Sequence, residues 1–150
     1  MKREATAIRK KRILFVCSGN ACRSQIAEGW ARTLAGRDID VLSAGIEAHG
    51  LDPAAVAVMS EVGIDISGQR SKSLGVLPNL PFDYVVTLSE RAAVHIRRLD
   101  LPWRVVNLPC ESPVPRTIGT VPSLAHYRRV RDTLHDTVNH LLRKWIRLAS

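Results

Sequence analysis

The chain has 150 residues and a formal net charge of +8, from 22 basic and 14 acidic side chains. This length suits one domain, and a content of 45% hydrophobic and 24% charged residues is typical of a globular protein rather than a disordered one. No stretch approaches the ~18 apolar residues of a membrane span. Three cysteines are a poor basis for a secreted disulfide framework, so the predicted compartment is a reducing cytoplasm.

The net charge is concentrated at one end of the chain. Residues 1–12 contain six basic residues and one acid, which accounts for five of the eight net charges. We therefore predict a basic N-terminal tail over residues 1–11 and a single domain over residues 12–150. A short basic run is more often a solvated terminus than a nucleic-acid arm, and no stacking aromatics or recognition helix accompany it. Nucleic acid is a poor candidate partner, and no membrane partner is expected.

Short apolar strands alternate with helices along the chain. The predicted strands cover residues 12–17, 39–43, 83–88 and 103–108. The predicted helices cover residues 23–35, 52–63, 89–99 and 123–148, with long loops at 67–82 and 109–122. The apolar run of the first strand is too short for a secretory leader, which needs about 7–15 apolar residues. The pattern predicts a single-domain α/β fold: a doubly wound, four-stranded parallel sheet with helices on both faces.

Helical spacing also predicts which faces of the helices are buried. The helix that opens with Asp52 as its N-cap is expected to bury Val56, Met59 and Val62. The closing helix is expected to bury one long stripe: Leu124, Tyr127, Leu134, Val138, Leu141, Trp145 and Leu148.

Ligands of doubly wound sheets bind beyond the carboxyl ends of the strands, where the winding reverses. The loop after the first strand is therefore the first candidate site, and it reads Cys-Ser-Gly-Asn-Ala-Cys-Arg-Ser over residues 17–24. Gly19 and Asn20 tolerate left-handed backbone angles, so the proline-free segment can curl. Successive N–H groups that point inward at a helix N-terminus bind an anion. The predicted oxyanion-binding residues are Ser18, Gly19, Asn20, Ala21, Cys22 and Arg23.

Three side chains of this loop suit attack on phosphate or a similar oxyanion. Arg23 can clamp a tetrahedral oxyanion with two hydrogen bonds. The same positive field lowers the pKa of a thiol, so Cys17 is the predicted nucleophile, and Ser24 can donate a hydrogen bond to its thiolate. The competing interpretation is a buried structural cysteine. The same spacing recurs at Cys110 and Arg116, but the prolines between them lack the backbone N–H groups that an anion-binding loop needs.

Residues 16–24 resemble the phosphate loop of the low-molecular-weight protein tyrosine phosphatases. Four further segments resemble the arsenate-reductase branch of that family: 23–30, 43–50, 59–67 and 127–132. The resemblance covers about residues 12–148, and it implies a four-stranded parallel sheet with flanking helices.

The resemblance also implies roles for individual residues. Cys17 would be the nucleophile, Arg23 would bind the oxyanion, and Ser24 would stabilise the thiolate. Asn20 would maintain the strained loop through a hydrogen bond to Ser43, although both residues also suit simple turns. No cofactor and no metal site are predicted.

The sequence departs from the family pattern at the general acid. The family places an Asp-Pro pair in the loop before the last helix, and that aspartate protonates the leaving oxygen. Here Ser112 and Pro113 occupy the place, and Glu111 is the only nearby carboxylate. General acid catalysis contributes about 10²–10⁴-fold, so Glu111 is the candidate replacement on which ester hydrolysis depends.

The second departure concerns the electrons for reduction. Thioredoxin-coupled arsenate reductases of the family carry two more cysteines after the third strand, whereas residues 87–90 here contain none. The remaining redox candidates are Cys110 and Cys22, each as a disulfide partner of Cys17. For Cys110 the alternative is a free loop thiol, with the electrons supplied by a small thiol and glutaredoxin.

These observations leave three functions to compare. The first is an enzyme in which Cys17 attacks arsenate and an external thiol or Cys110 completes the reduction, with glutaredoxin, thioredoxin or a small thiol as candidate reductants. The second is a phosphatase that hydrolyses a phosphotyrosine-type ester through a cysteinyl-phosphate. The third is a non-catalytic phosphate-binding or regulatory module.

Overall fold

The structure is a computed structural model that describes residues 10–113 and 123–149. Its strands are β1 (Lys11–Cys17), β2 (Ile39–Gly45), β3 (Tyr84–Thr87) and β4 (Val105–Asn107). Its helices are α1 (Arg23–Ala35), α2 (Pro53–Glu61), α3 (Glu90–Leu99) and α4 (Leu124–Ala149), with one 3₁₀ turn at Leu74–Val76. Every predicted element is present, with ends that differ by a few residues at most. Most of residues 1–11 and of the 109–122 loop, Arg116 included, lie outside the described residues.

The strands form one parallel sheet in the order β2-β1-β3-β4. β1 lies in the interior of the sheet, and the chain leaves it toward β2 on one side and later returns to β3 on the other. The winding therefore reverses at β1, and its carboxyl end is the topological switch point where such sheets bind ligands. The predicted doubly wound α/β fold is confirmed.

The two faces of β1 bury separate cores, because successive side chains of a strand point to opposite faces. Ile13 and Phe15 pack in the larger cluster, which includes residues of α1, α2 and α4. Leu14 and Val16 pack in the smaller cluster with residues of α3. All four side chains are completely buried, which explains why β1 is a continuous apolar run rather than an alternating one.

The predicted buried face of α2 is partly wrong. Met59 is buried as expected, but Val62 is 40% exposed because the helix ends at Glu61 and Val62 lies beyond its last turn. Ala55 and Val58 fill the buried face of α2 instead.

The stripe predicted for α4 is buried along most of its length, from Tyr127 to Trp145. Its first member, Leu124, is 43% exposed, because it is the first residue of the helix and projects beyond the core. The side chain of Leu148 lies outside the described residues. In the described part of the chain, no helix combines the length and the apolar character that crossing a bilayer requires.

Candidate active site

The loop of residues 18–22 joins the carboxyl end of β1 to the first residue of α1. Four of the carbonyl groups in residues 17–21 accept hydrogen bonds from N–H groups of residues 46–52, at distances of 2.9–3.2 Å. The carbonyls are thus turned outward, toward the segment that follows β2. For the N–H groups of residues 18–24, in contrast, the described residues offer no acceptor. A row of free amides at the N-terminus of a helix is the electrostatic requirement for binding an anion.

Asn20 and Gly19 permit this tight curve for different reasons. Asn20 has a φ of 49°, in the left-handed region that asparagine tolerates better than most residues. Gly19 does not have a positive φ, so the expectation of left-handed geometry applies to Asn20 alone. A Cβ at position 19 would overlap the ring of His49, so a larger residue there would have to displace this exposed side chain. Gly45, at the end of β2, is required, since a Cβ there would meet the backbone N of Asn20 at 2.7 Å.

Cys17 is the last residue of β1, and only 2% of it is exposed. Its Sγ lies 2.8 Å from the Oγ of Ser24 in the first turn of α1. The Nδ2 of Asn20 donates to Ser24 Oγ at 2.8 Å and to Ser43 Oγ at 3.0 Å. The Asn20–Ser43 hydrogen bond expected from the family resemblance is therefore present. Ser24, Asn20 and Ser43 are each 0% exposed, so water does not compete for these bonds.

Arg23 extends from the start of α1 toward the loop after β4. Its Nη1 donates to the carbonyl of Cys110 at 3.0 Å and more weakly to that of Leu88 at 3.5 Å. Nε and Nη2 have no acceptor among the described residues. A guanidinium has five N–H donors in a planar fork, so Arg23 can retain its carbonyl partners and still bind two oxygens of a tetrahedral anion.

A cavity of about 840 Å³ opens over this loop. Ser18, Arg23, Cys110 and Glu111 line it, and thus it brings together candidates that are up to 93 residues apart in sequence. Of the three cysteines, all of them free, Cys110 alone lines the cavity.

Burial raises the pKa of the Cys110 thiol, while the charge of Arg23 lowers it. The pKa of Cys110 is also raised by Glu111 and Cys17, so these groups are close enough to act on it. Cys22, the last residue of the loop, differs in being buried and in not lining the cavity. Desolvation and then the negative charge of Asp52 raise the pKa of Cys22 well above its usual range, so it remains a thiol at neutral pH.

The cavity also contains residues that the sequence did not suggest. Ser89, Arg91 and His126 line it, from the N-terminal ends of α3 and α4. Arg91 pairs with Glu47 at 2.9 Å, and the Nδ1 of His126 lies 3.2 Å from Ser123 Oγ. Ser89 was recognisable only as a helix cap, since its position over the cavity depends on tertiary packing. Within residues 10–113 and 123–149, no cluster of three His, Cys, Asp or Glu could hold a metal ion.

The geometry predicts that replacing Arg23 by lysine weakens phosphate binding about 10–100-fold, because one point charge replaces a fork whose charge-assisted hydrogen bonds contribute about 1.5–3 kcal/mol. Titration calorimetry with inorganic phosphate measures the effect. Arg97→Lys is the matched control, because Arg97 is an exposed arginine of α3 away from the cavity. Equal affinities for the Arg23→Lys variant and the unmodified chain would show that Arg23 does not contact the anion.

Comparison with known proteins agrees with this geometry. The low molecular weight phosphotyrosine protein phosphatase family matches residues 12–109. An arsenate reductase of Halalkalibacterium halodurans is 54% identical over 84 residues, covering 56% of this chain. The chain spans only 60% of the length of that relative. An arsenate reductase of Staphylococcus aureus (strain bovine RF122) is 39% identical over 133 residues, covering 87% of this chain and 95% of that protein.

Comparison with solved structures also finds arsenate reductases. A solved structure of an arsenate reductase in the phosphate-binding state superposes with a TM-score of 0.75 at 36% identity, covering 89% of this chain and 98% of the other. The chain therefore belongs to the low-molecular-weight phosphotyrosine protein phosphatase family and is similar over most of its length to arsenate reductases.

Proposed function

We propose that this protein is an arsenate reductase in which Cys17 is the nucleophile. The observation that carries the proposal is the cradle of amides in residues 18–24, which have no acceptor among the described residues, with the buried Cys17 thiol and Arg23 at its two ends. Arsenate and phosphate are tetrahedral oxyanions of similar shape, so a cradle that suits one suits the other. Similarity to arsenate reductases supports arsenate as the substrate.

In the first step the Cys17 thiolate attacks arsenic(V). A sulfur–arsenic bond forms, an arsenic–oxygen bond breaks, and the departing hydroxide leaves as water when an acid supplies a proton. Ser24 stabilises the thiolate before attack, and Arg23 with the loop amides neutralises the charge on the remaining oxygens. We assign the proton to Glu111, which lines the cavity and is exposed enough to exchange protons with solvent.

In the second step another thiolate attacks the sulfur of Cys17. A disulfide forms, the sulfur–arsenic bond breaks, and its electron pair stays on arsenic, which leaves as arsenite. The two thiols thereby supply the two electrons that reduce arsenic(V) to arsenic(III). We propose Cys110 as the second thiol, because it lines the same cavity as Arg23, whereas Cys22 is buried and does not line it.

The resulting disulfide must then be reduced from outside the chain. A dithiol protein such as thioredoxin, or a small thiol with glutaredoxin, has the required chemistry. This cycle needs a reducing compartment, so we propose that the protein works in the cytoplasm. An external thiol that attacks Cys17 directly is the alternative to Cys110.

A second candidate function is hydrolysis of phosphotyrosine-type esters. It is favoured by the family membership and by the presence of a carboxylic acid, Glu111, in the cavity. The same first step on a phosphoryl group would release an alcohol and leave a cysteinyl-phosphate, which water would then hydrolyse.

The two functions predict different outcomes of a paired assay. We expect arsenite to form from arsenate when thioredoxin, or glutaredoxin with glutathione, is supplied. The Cys17→Ser variant should form no arsenite, because serine is not ionised at neutral pH. Hydrolysis of an aryl phosphate without arsenite production would select the phosphatase function instead. Full activity of Cys17→Ser in either assay would exclude Cys17 as the nucleophile. Phosphate binding with neither activity would select the non-catalytic module.

The role of Cys110 is tested with Cys110→Ser in a single turnover without added thiol. The unmodified chain should release about one arsenite per molecule and form a disulfide between Cys17 and Cys110, because both electrons come from these two residues. The variant should release none. Cys22→Ser, which removes a cysteine outside the cavity, is the matched control and should still complete the turnover. Arsenite release by Cys110→Ser only after a small thiol is added would assign the second step to an external thiol.

The proposed acid predicts that Glu111→Gln lowers the rate of the first step by about 10²–10⁴-fold, the usual contribution of a positioned acid. The loss should be largest for esters with poor leaving groups, because these need the proton most. His126→Gln is the control, since His126 lines the same cavity. If His126→Gln shows this loss and Glu111→Gln does not, the histidine supplies the proton.

A further inference from the structure

Glu28 is a buried carboxylate of α1 that takes no part in either step of the proposed reaction. Only 3% of the residue is exposed. Its Oε1 accepts a hydrogen bond from the Ser43 hydroxyl at 2.5 Å, and its Oε2 accepts from Arg32 Nε at 2.8 Å and lies 2.6 Å from Arg32 Nη2. Burying a charge is costly unless it is paired and hydrogen-bonded. Glu28 therefore has well-defined partners on both oxygens, and one of them, Ser43, also contacts the catalytic loop.

The backbone fixes which way the neighbouring Asn20 amide faces. The N–H of Lys72 can only donate, and it lies 2.9 Å from Oδ1, as does the Gln25 amide nitrogen at 3.0 Å. Oδ1 is therefore the acceptor, and Nδ2 must face the opposite way. Nδ2 accordingly donates one hydrogen to Ser24 Oγ and the other to Ser43 Oγ.

These directions determine where the two serine protons go. Ser24 and Ser43 both accept from Asn20, so each keeps its own proton for another acceptor. For Ser24 that acceptor is the Sγ of Cys17 at 2.8 Å, and for Ser43 it is the carboxylate of Glu28. A hydrogen bond donated to a thiolate stabilises the charged form. One relay of buried hydrogen bonds therefore runs between Cys17 and Glu28.

We propose that Glu28, oriented by Arg32, is a positioning residue for Cys17. The carboxylate can only accept, so it holds the Ser43 proton and keeps the Ser43 oxygen as an acceptor for Asn20. Asn20 in turn keeps Ser24 donating to the Cys17 thiolate. Hydrogen bonds in such a chain strengthen one another. The inference builds on the nucleophile of the proposed function, but its test reads the thiol itself and is independent of whether arsenate is reduced.

The charge of Glu28 acts in the opposite direction to the relay. A negative charge behind the loop by itself raises the pKa of a nearby thiol. The cations that face Glu28 are Arg32 on its own helix and Lys72 from the 68–73 segment. The thiols of Cys22 and Cys110 lie close enough to Cys17 to interact with it, and the charge of Arg23 acts on both of these thiols. Neutralising Glu28 therefore distinguishes the two effects: the pKa of the Cys17 thiol should rise if the relay dominates and fall if only the charge matters.

The deciding variant is Glu28→Gln. Arg32 is a donor and attracts the oxygen of the new amide, so the NH₂ group of the amide turns toward the Ser43 hydroxyl, where the relay needs an acceptor. We expect the pKa of the Cys17 thiol to rise by about one unit, the size of one charge-assisted hydrogen bond. The measurement is the pH dependence of iodoacetamide alkylation at Cys17, followed by mass spectrometry on the full chain. If the substitution acted only by removing a negative charge, the pKa of the Cys17 thiol would fall instead.

A second substitution should reverse the change that Glu28→Gln makes in the pKa of the Cys17 thiol. Arg32 is about half exposed, so Arg32→Met is tolerable, and without its guanidinium the amide introduced at position 28 is free to turn its oxygen toward Ser43. The double variant Glu28→Gln/Arg32→Met should recover at least half of the pKa shift. Glu61→Gln is the matched control, because Glu61 also accepts hydrogen bonds from two arginines but lies at the contact of α2 with α4. It should leave the pKa of Cys17 unchanged.

Three results would overturn the proposal. The first is an unchanged or lower pKa of Cys17 in Glu28→Gln, and the second is a double variant with no recovery. The third comes from Ser43→Ala, which breaks the relay without disturbing the buried charge pair and remains available if Glu28→Gln does not fold. It should raise the pKa of Cys17 as well, and an unchanged pKa would show that the relay does not reach the thiol. Circular dichroism verifies that each variant is folded.

Discussion

The side chain of Asn20 makes the contacts on which the loop of residues 18–22 depends. Its φ of 49° is costly for a residue with a Cβ, and glycine would adopt it more easily. Glycine, however, has no side chain to place between the loop and the rest of the fold. Asn20 makes two hydrogen bonds with its amide nitrogen and two with its amide oxygen, all inside the protein. Asparagine therefore combines a tolerated left-handed backbone with the four bonds that hold the loop in place.

The partners of Asn20 come from separate parts of the chain, which ties the loop to the whole fold. Ser24 belongs to α1, Ser43 to β2, and Lys72 to the segment before β3. These elements meet because β1 has β2 on one side and β3 on the other, all parallel. A parallel sheet brings the carboxyl ends of its strands to one edge, so residues distant in sequence become neighbours around the loop. Four carbonyls in residues 17–21 are bound to the segment after β2, whereas the amides of residues 18–24 have no acceptor among the described residues.

The sequence was informative about local chemistry and much less so about the residues that support it. A strand, a proline-free loop and a helix start are local features, so Cys17, Arg23 and Ser24 were identifiable from their order. The parallel sheet followed from continuous apolar strands, because both faces of such strands must be buried. The link from Ser43 to Glu28, in contrast, joins residues whose spacing has no helical or strand period. The same holds for the contact between Arg23 and the carbonyl of Cys110, which depends on where the loop after β4 lies.

The position of Arg23 links the two steps of the proposed reaction. Its Nη1 donates to the backbone of Cys110, while Nε and Nη2 have no acceptor among the described residues and could bind an oxyanion. An oxyanion in the cradle would therefore bind the same guanidinium that also holds the Cys110 loop. When arsenite leaves, the arginine loses its anion and the disulfide removes the thiol from the cavity. In the proposed reaction the charge that acts on the substrate is thus this one guanidinium with the loop amides, and not the basic N-terminal tail that supplies most of the net charge of the chain.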